Sequence, residues 1–379
     1  MCINKKENKT KLVYISHMVS PHQVKYCYAL QKYFDAYFLF YEKAERTRGS
    51  WWDVELGDRC EVLNTIIGAD DGIFSAKYYA KNIIAKLDSL NPDILMLGGF
   101  SVPSNYMAYR WALRNKKKII IFTERSRNKA GELRKRNLVW TALRYLYKDV
   151  DLVLVSATDI IEQFRDEFGF GEKVVEGRYP ADIDDYFEHP ARTQKAAYTY
   201  LFANRLTEIY NPLGAIEIFV EIIKAQPGSL LLINAKGELG EECRSLVQQL
   251  RLEESVEFLD NIKEWSDLSQ IYLRSDILLL PANFSNGNYT IIEAMASGMG
   301  VVVSNRVLGV GKFISDGDNG FNCEPTSNEF MKRIRQYITN PNLFEKHRII
   351  NREIVRPLST SGTAEHFYSL LESRNMLKA

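Results

Sequence analysis

Residues 276–305, DILLLPANFSNGNYTIIEAMASGMGVVVSN, constrain the fold more than any other part of the chain. Ile277–Leu280 is a continuous apolar run closed by Pro281, the pattern of a strand buried on both faces of a parallel sheet. Ser285, Asn286, Gly287 and Asn288 are small or polar, as needed where a chain turns sharply and exposes its N–H groups. Residues 290–297 read as a helix that Gly298 is placed to stop, and Val301, Val302 and Val303 as the next strand. Such a unit sets the free N–H groups and positive dipole end of the helix beside the strand's carboxyl end, where they can hold an anion. Glu293, about one turn into the helix, is within reach of sugar hydroxyls next to a phosphate held there. The same pattern also fits an ordinary strand, loop and helix with a surface Glu.

The rest of the chain repeats this alternation. Strands are expected at 12–16, 94–97, 119–122 and 152–156, with helices such as 24–34 and 104–114 between them. A second series follows at 199–203, 230–234, 256–259, 277–280 and 301–303. Strands separated by helices imply parallel β-α-β units and an α/β fold. At 379 residues the chain exceeds the size at which one core stops growing, so two domains facing a cleft are expected. The segment GRYPADIDDYFEHP, with Pro180, Pro190 and four acids, reads as the linker.

Composition excludes some classes. With 46% hydrophobic and 26% charged residues the chain is globular, and a net charge of +1 argues against binding polyanions through global charge. No run of about eighteen apolar residues occurs, and MCINKKENKTK lacks the apolar core of a signal peptide, so a cytoplasmic protein is expected. Cys2, Cys27, Cys60, Cys243 and Cys323 are scattered and odd in number, which suggests inert thiols rather than disulfides or a zinc site.

NGNYTIIEAMASGMGVVVSN resembles the signature of the retaining GT-B glycosyltransferases of family 4, the glycosyl transferases group 1. The resemblance implies two Rossmann-like, doubly wound parallel-sheet domains: an acceptor-binding domain at 1–185 and a nucleotide-sugar domain at 190–362. It also implies that residues 363–379, with a helix at 364–371, cross back to the first domain. Glu293 matches the family's second glutamate, which holds the nucleotide ribose, whereas the first falls on Ser285. YLFANRLTEIYN is similar to the family's first strand of this domain, so Arg205 matches its diphosphate-binding arginine and Tyr210 stands where a lysine is usual. LLLINAKG resembles the next strand and its glycine turn at Gly237, and VEFL the short strand whose backbone, at Phe258, meets the nucleobase; Lys236, next to that turn, can substitute for the lysine missing at Tyr210. By the same resemblance Asn286, Gly287, Asn288, Tyr289 and Thr290 line the donor site. No cofactor is implied beyond the UDP- or GDP-linked sugar itself.

The chemistry that follows is transfer of that sugar. Cleaving the anomeric bond builds negative charge on the leaving diphosphate, which Arg205 can hold bidentately and loop amides can stabilise without reorganising. Those groups remove the need for a metal, and the acidic pairs Asp182/Asp184 and Asp316/Asp318 read as turns. In the first half, His22 and Glu124 are catalytic candidates and His17 a further one, although a packing His or an ion-paired Glu fits the sequence as well. Between Arg110 and Lys148 thirteen Lys and Arg stand against Glu124 and Glu132. From Arg125 on they interleave with Leu138, Trp140 and Tyr145, which suits either an anionic membrane surface at 125–148 or a solvated basic face. No nucleic-acid-binding motif accompanies the charge. The expected function is glycosyl transfer to a glycan or lipid-linked acceptor in surface polysaccharide or lipopolysaccharide synthesis, peripheral on the inner membrane face. A non-catalytic partner subunit, or an epimerase or phosphorylase of the same fold, is the alternative.

Overall fold

The computed structural model describes residues 9–43, 54–68, 78–124, 138–156, 160–285, 289–340 and 342–378. The chain divides into two compact units, one ending at Pro180 and resumed from Thr360, the other holding Ala181–Ser359.

The first unit carries strands β1 (Lys11–Met18), β2 (Asp35–Glu42), β3 (Cys60–Val62), β4 (Thr65–Ile67), β5 (Tyr78–Ala80), β6 (Ile94–Gly98), β7 (Lys118–Thr123), β8 (Leu152–Val155) and β9 (Val174–Glu176). Its main helices are α1 (Pro21–Leu30), α2 (Ile83–Leu90), α3 (Pro103–Arg114) and α4 (Leu138–Leu146). Seven strands form a parallel sheet in the order β3-β2-β1-β6-β7-β8-β9, and β4 and β5 pair antiparallel apart from it. The strands read from sequence lie in the middle of this sheet. Those not foreseen are β2, the three-residue strands β3 and β9, and the β4–β5 pair, which departs from the all-parallel expectation. Three residues carry no period to read.

The C-terminal helix, Thr360–Ser373, also belongs to this unit and starts four residues before the expected 364. Phe367 packs on Phe34 with ring centroids 5.7 Å apart, and Tyr368 stacks on Tyr33 at 4.9 Å.

The second unit alternates strictly: β10 (Thr199–Phe202), α5 (Pro212–Ala225), β11 (Leu230–Asn234), α6 (Gly240–Gln249), β12 (Val256–Leu259), α7 (Asp267–Arg274), β13 (Ile277–Leu280), α8 (Tyr289–Ser297) and β14 (Gly300–Ser304). Then come β15 (Phe321–Cys323), α9 (Ser327–Thr339) and α10 (Leu343–Val355). The sheet order is β12-β11-β10-β13-β14-β15, all parallel. Each buried strand is a short apolar run, and Gly298, at φ +76, ends α8 in the left-handed conformation that an L side chain resists. The order reverses between β10 and β13, so the loops leaving these strands' carboxyl ends diverge and open a crevice, the usual ligand position in such sheets.

The expected linker is not one. Ala181 and Ile183 are fully buried, Tyr186 nearly so, and Asp185–Glu188 forms a 3-10 turn against α8. The boundary falls between Pro180 and Ala181 rather than at 185–190, because the apolar residues spaced between the acids all point into the second core.

Candidate functional site

The crevice of the second unit begins at the loop after β10. Asn204 accepts a hydrogen bond from the Thr290 hydroxyl at 3.2 Å, tying this loop to the first turn of α8. Arg205 follows with an exposed side chain that has no partner among the described residues. Leu206 donates its N–H to the Lys236 carbonyl at 2.7 Å and accepts from Leu239 at 2.9 Å, which clasps the loops after β10 and β11 together. Gly237 makes this possible: its φ is +149, and an added Cβ would lie 2.3 Å from the Leu206 carbonyl oxygen. Lys236 is exposed as well, again without a side-chain partner among the described residues. Two uncompensated cations thus sit on neighbouring clasped loops at the strand ends, and the Arg205 loop is tied to the positive end of α8.

Tyr210 closes a 3-10 turn, Glu208–Tyr210, and is half-buried against the core. Asn283 and Phe284, leaving β13, donate to the Ile209 carbonyl at 2.9 and 3.0 Å and fasten this turn to the crevice wall. Ser285 is buried, and its carbonyl accepts from Leu308 at 2.8 Å within a one-residue bridge to Val307. Asn286, Gly287 and Asn288 lie outside the described residues. Tyr289 opens α8. Phe258, on β12, has one ring face covered by the Arg244 guanidinium at 4.1 Å, whose Nη2 donates to both carboxylate oxygens of Asp260 at 2.8 and 3.0 Å.

Glu293 is 5% exposed. The fully buried Tyr272 of α7 donates its hydroxyl to Glu293 Oε2 at 2.5 Å, and Oε1 has no hydrogen-bond partner among the described residues. Burial pushes the carboxyl up to about 7; the Tyr272 hydrogen bond pulls it down and the Asp182 carboxylate pushes it up. Asp182 itself accepts from Trp265 Nε1 at 2.9 Å. Sequence reasoning missed Tyr272, Asn204 and Trp265. Tyr272 stands in the apolar stripe of α7, where a hydroxyl needs a buried partner, and that was the available signal.

In the first unit the sheet order reverses between β1 and β6. His17, near the end of β1, lies beside Gly99, with Nε2 3.9 Å from where a Cβ on that glycine would stand. Its Nε2 is buried without a partner, and burial lowers the ring's affinity for a proton. His22 is buried in the first turn of α1. Glu124 follows β7 and takes a hydrogen bond from the Tyr179 hydroxyl. Crowding by neighbouring atoms pushes the Glu124 carboxyl upward, but its side chain is open enough to water that screening weakens the effect.

On α4, Trp140 is buried and stacks on Phe168 at 3.9 Å, while Leu138 and Tyr145 are 88% and 73% exposed. Lys148 lies 5.8 Å over the Tyr145 ring. Arg125, Arg127, Lys129, Arg134, Lys135 and Arg136 lie outside the described residues. Among the described residues no helix is long and apolar enough to cross a membrane.

Residues 185–354, within the second unit, match the family described as glycosyl transferases group 1. An uncharacterized glycosyltransferase of Haemophilus influenzae is 31% identical over 143 residues, 36% of this chain. The match spans only 40% of that relative's length. The structure of a glycosyltransferase from Rickettsia africae superposes with a TM-score of 0.69 at 14% identity, covering 97% of this chain and 98% of that one. Anabaena Alr3699/HepE in complex with UDP gives the same TM-score and identity, covering 96% and 100%. The fold, two parallel-sheet α/β units, is that of these GT-B structures.

Proposed function

We propose that this chain moves a sugar from a UDP- or GDP-linked donor to a glycan or lipid-linked acceptor in surface polysaccharide or lipopolysaccharide synthesis, with retained anomeric configuration and without a metal. The observation that carries the reading is the pair Arg205 and Lys236, uncompensated on clasped loops beside the first turn of α8 and Glu293. A diphosphate would meet both cations and the helix dipole, and its charge grows as the anomeric bond breaks, so these fixed groups favour the transition state over the bound donor. Lys236 takes the part that a lysine at Tyr210 would play. The Oε1 oxygen of Glu293 accepts the ribose hydroxyls. His17, His22 and Glu124, at strand ends of the first unit, are assigned to the acceptor and the reacting sugar. The UDP complex of the Anabaena neighbour supports the donor class.

The test is nucleotide release from a panel of UDP- and GDP-sugars, with and without chelator. Activity that survives chelation, and loss of nucleotide binding in Glu293→Ala, are the expected results. Binding unchanged in that variant overturns the site. Removing one charged hydrogen bond to the diphosphate by Arg205→Ala is expected to weaken donor binding about ten- to a hundredfold.

A second reading has one observation in its favour: Ser285 stands buried where the resembling family has a donor-facing carboxylate. On that reading the chain binds a nucleotide sugar or a glycan as a non-catalytic subunit. Donor turnover by the purified chain excludes it.

A further inference from the structure

We infer that Tyr272 is the positioning residue of the nucleotide site: its hydroxyl takes one oxygen of Glu293 and leaves the other oxygen to the donor ribose. The inference rests on the donor-binding role of Glu293 given above and adds to it the residue through which that role is set.

Tyr272 is 1% exposed, and its ring meets that of Tyr186 at 5.3 Å, edge to face. A Phe would fill the same space. The hydroxyl would be costly to bury alone, and its acceptor is the carboxylate of Glu293, 21 residues further along the chain. Apart from Tyr272, the groups that bear on the charge of Glu293 oppose it. Tyr186 from the turn Asp185–Glu188 offers a ring, and Asp182 is a like charge. β13 and β14 present apolar residues. Three arginines at the far end of α8 are committed there. Arg352 bonds the Ala296 carbonyl at 3.0 Å, Arg192 bonds the Ser297 hydroxyl at 3.0 Å, and Arg348 pairs with Glu345. His189 also meets Ser297, at 2.8 Å. Tyr272 is therefore the group that stabilises the ionised form, and only the ionised form offers Oε1 as an unencumbered acceptor for two ribose hydroxyls.

The experiment titrates wild type, Tyr272→Phe and Glu293→Gln with UDP-glucose and GDP-mannose by calorimetry, from mildly acidic to mildly alkaline pH. The diphosphate diester of these probes stays fully ionised throughout. Wild-type affinity should fall as Glu293 takes up its proton. In Tyr272→Phe the midpoint of that fall should move up by about one pH unit, giving roughly fivefold weaker binding near neutrality and recovery at alkaline pH. Glu293→Gln should be weak and flat. A purely structural role for Tyr272 would weaken binding at every pH alike, and that result, or a profile identical to wild type, overturns the inference. Failure of the wild type to bind either probe overturns the donor reading together with it. Should Tyr272→Phe not fold, the wild type decides by NMR. The Tyr272 ring carbon bearing the hydroxyl and the Glu293 carboxyl carbon must then titrate through one shared midpoint, and independent behaviour refutes the coupling.

Discussion

Gly237 has no room for a side chain, and the reason reaches into the site. Its φ of +149 and the 2.3 Å approach of a would-be Cβ to the Leu206 carbonyl mean that any substitution pushes the Arg205 loop off the Lys236 loop. Gly237→Ala is expected to cost about 1 to 3 kcal/mol in urea unfolding and to weaken nucleotide-sugar binding, because the loops that carry Arg205 and Lys236 are no longer clasped. Glu293, assigned above to the donor ribose, poses the opposite problem, a group that burdens the fold. Its carboxyl titrates near 7 in the folded chain against 4.5 ordinarily, so the unfolded chain releases the proton first. The stability linked to Glu293 is complete below 4.5 and is lost as pH rises through about 7, levelling off at about 3 kcal/mol. Glu293→Gln should therefore raise the urea midpoint clearly at about pH 8 and hardly at all at about pH 4. An equal change at both pH values would show that burial does not shift the carboxyl upward.

At the scale of elements, β13 and α8 were legible because four consecutive apolar residues, a proline and a glycine stop leave few alternatives. The turn Asp185–Glu188 was not, because its acids and prolines imitate a linker while Ile183 and Tyr186 carry the packing. Tyr272 and Glu293 meet only because α7 and α8 lie side by side, a contact that spacing along the chain does not encode. The switch point, by contrast, follows from strand order, which sequence alone leaves open. For α4 the sequence allowed two faces, and the structure sorts them: Trp140 and Tyr147 are inside, while Leu138 and Tyr145 are outside with Arg144 and Lys148. An exposed pair of apolar side chains next to cations suits an anionic bilayer, which accepts both. Leu138→Ser with Tyr145→Ser is expected to reduce cosedimentation with phosphatidylglycerol vesicles while leaving the melting temperature unchanged. Raising the salt should weaken the wild-type interaction. Equal sedimentation of variant and wild type removes α4 from any membrane contact.

For the whole molecule, the connection between Ser359 and Thr360 assigns the last helix to the first unit although the sequence preceding it belongs to the second. Ala364, Phe367 and Leu371 bury there against Phe34 and its neighbours, so the first unit is completed only by the end of the chain. Phe367→Ala leaves a cavity in a well-packed core and is expected to cost about 3 to 5 kcal/mol, a large part of the stability of a domain this size. Each unit has its own core, so heat should unfold them in two transitions, and Phe367→Ala should lower only one of them. On the proposed function, nucleotide sugar bound at the β10–β13 crevice is expected to stabilise the other unit, by about 2.7 kcal/mol at a hundredfold excess over its dissociation constant. The two perturbations must therefore act on different transitions in calorimetry. If Phe367→Ala lowers the transition that nucleotide sugar raises, either the last helix does not belong to the first core or the donor does not bind at the crevice of the second unit, and Arg205→Ala in the same scan tells which, since it abolishes the ligand-induced rise only in the first case.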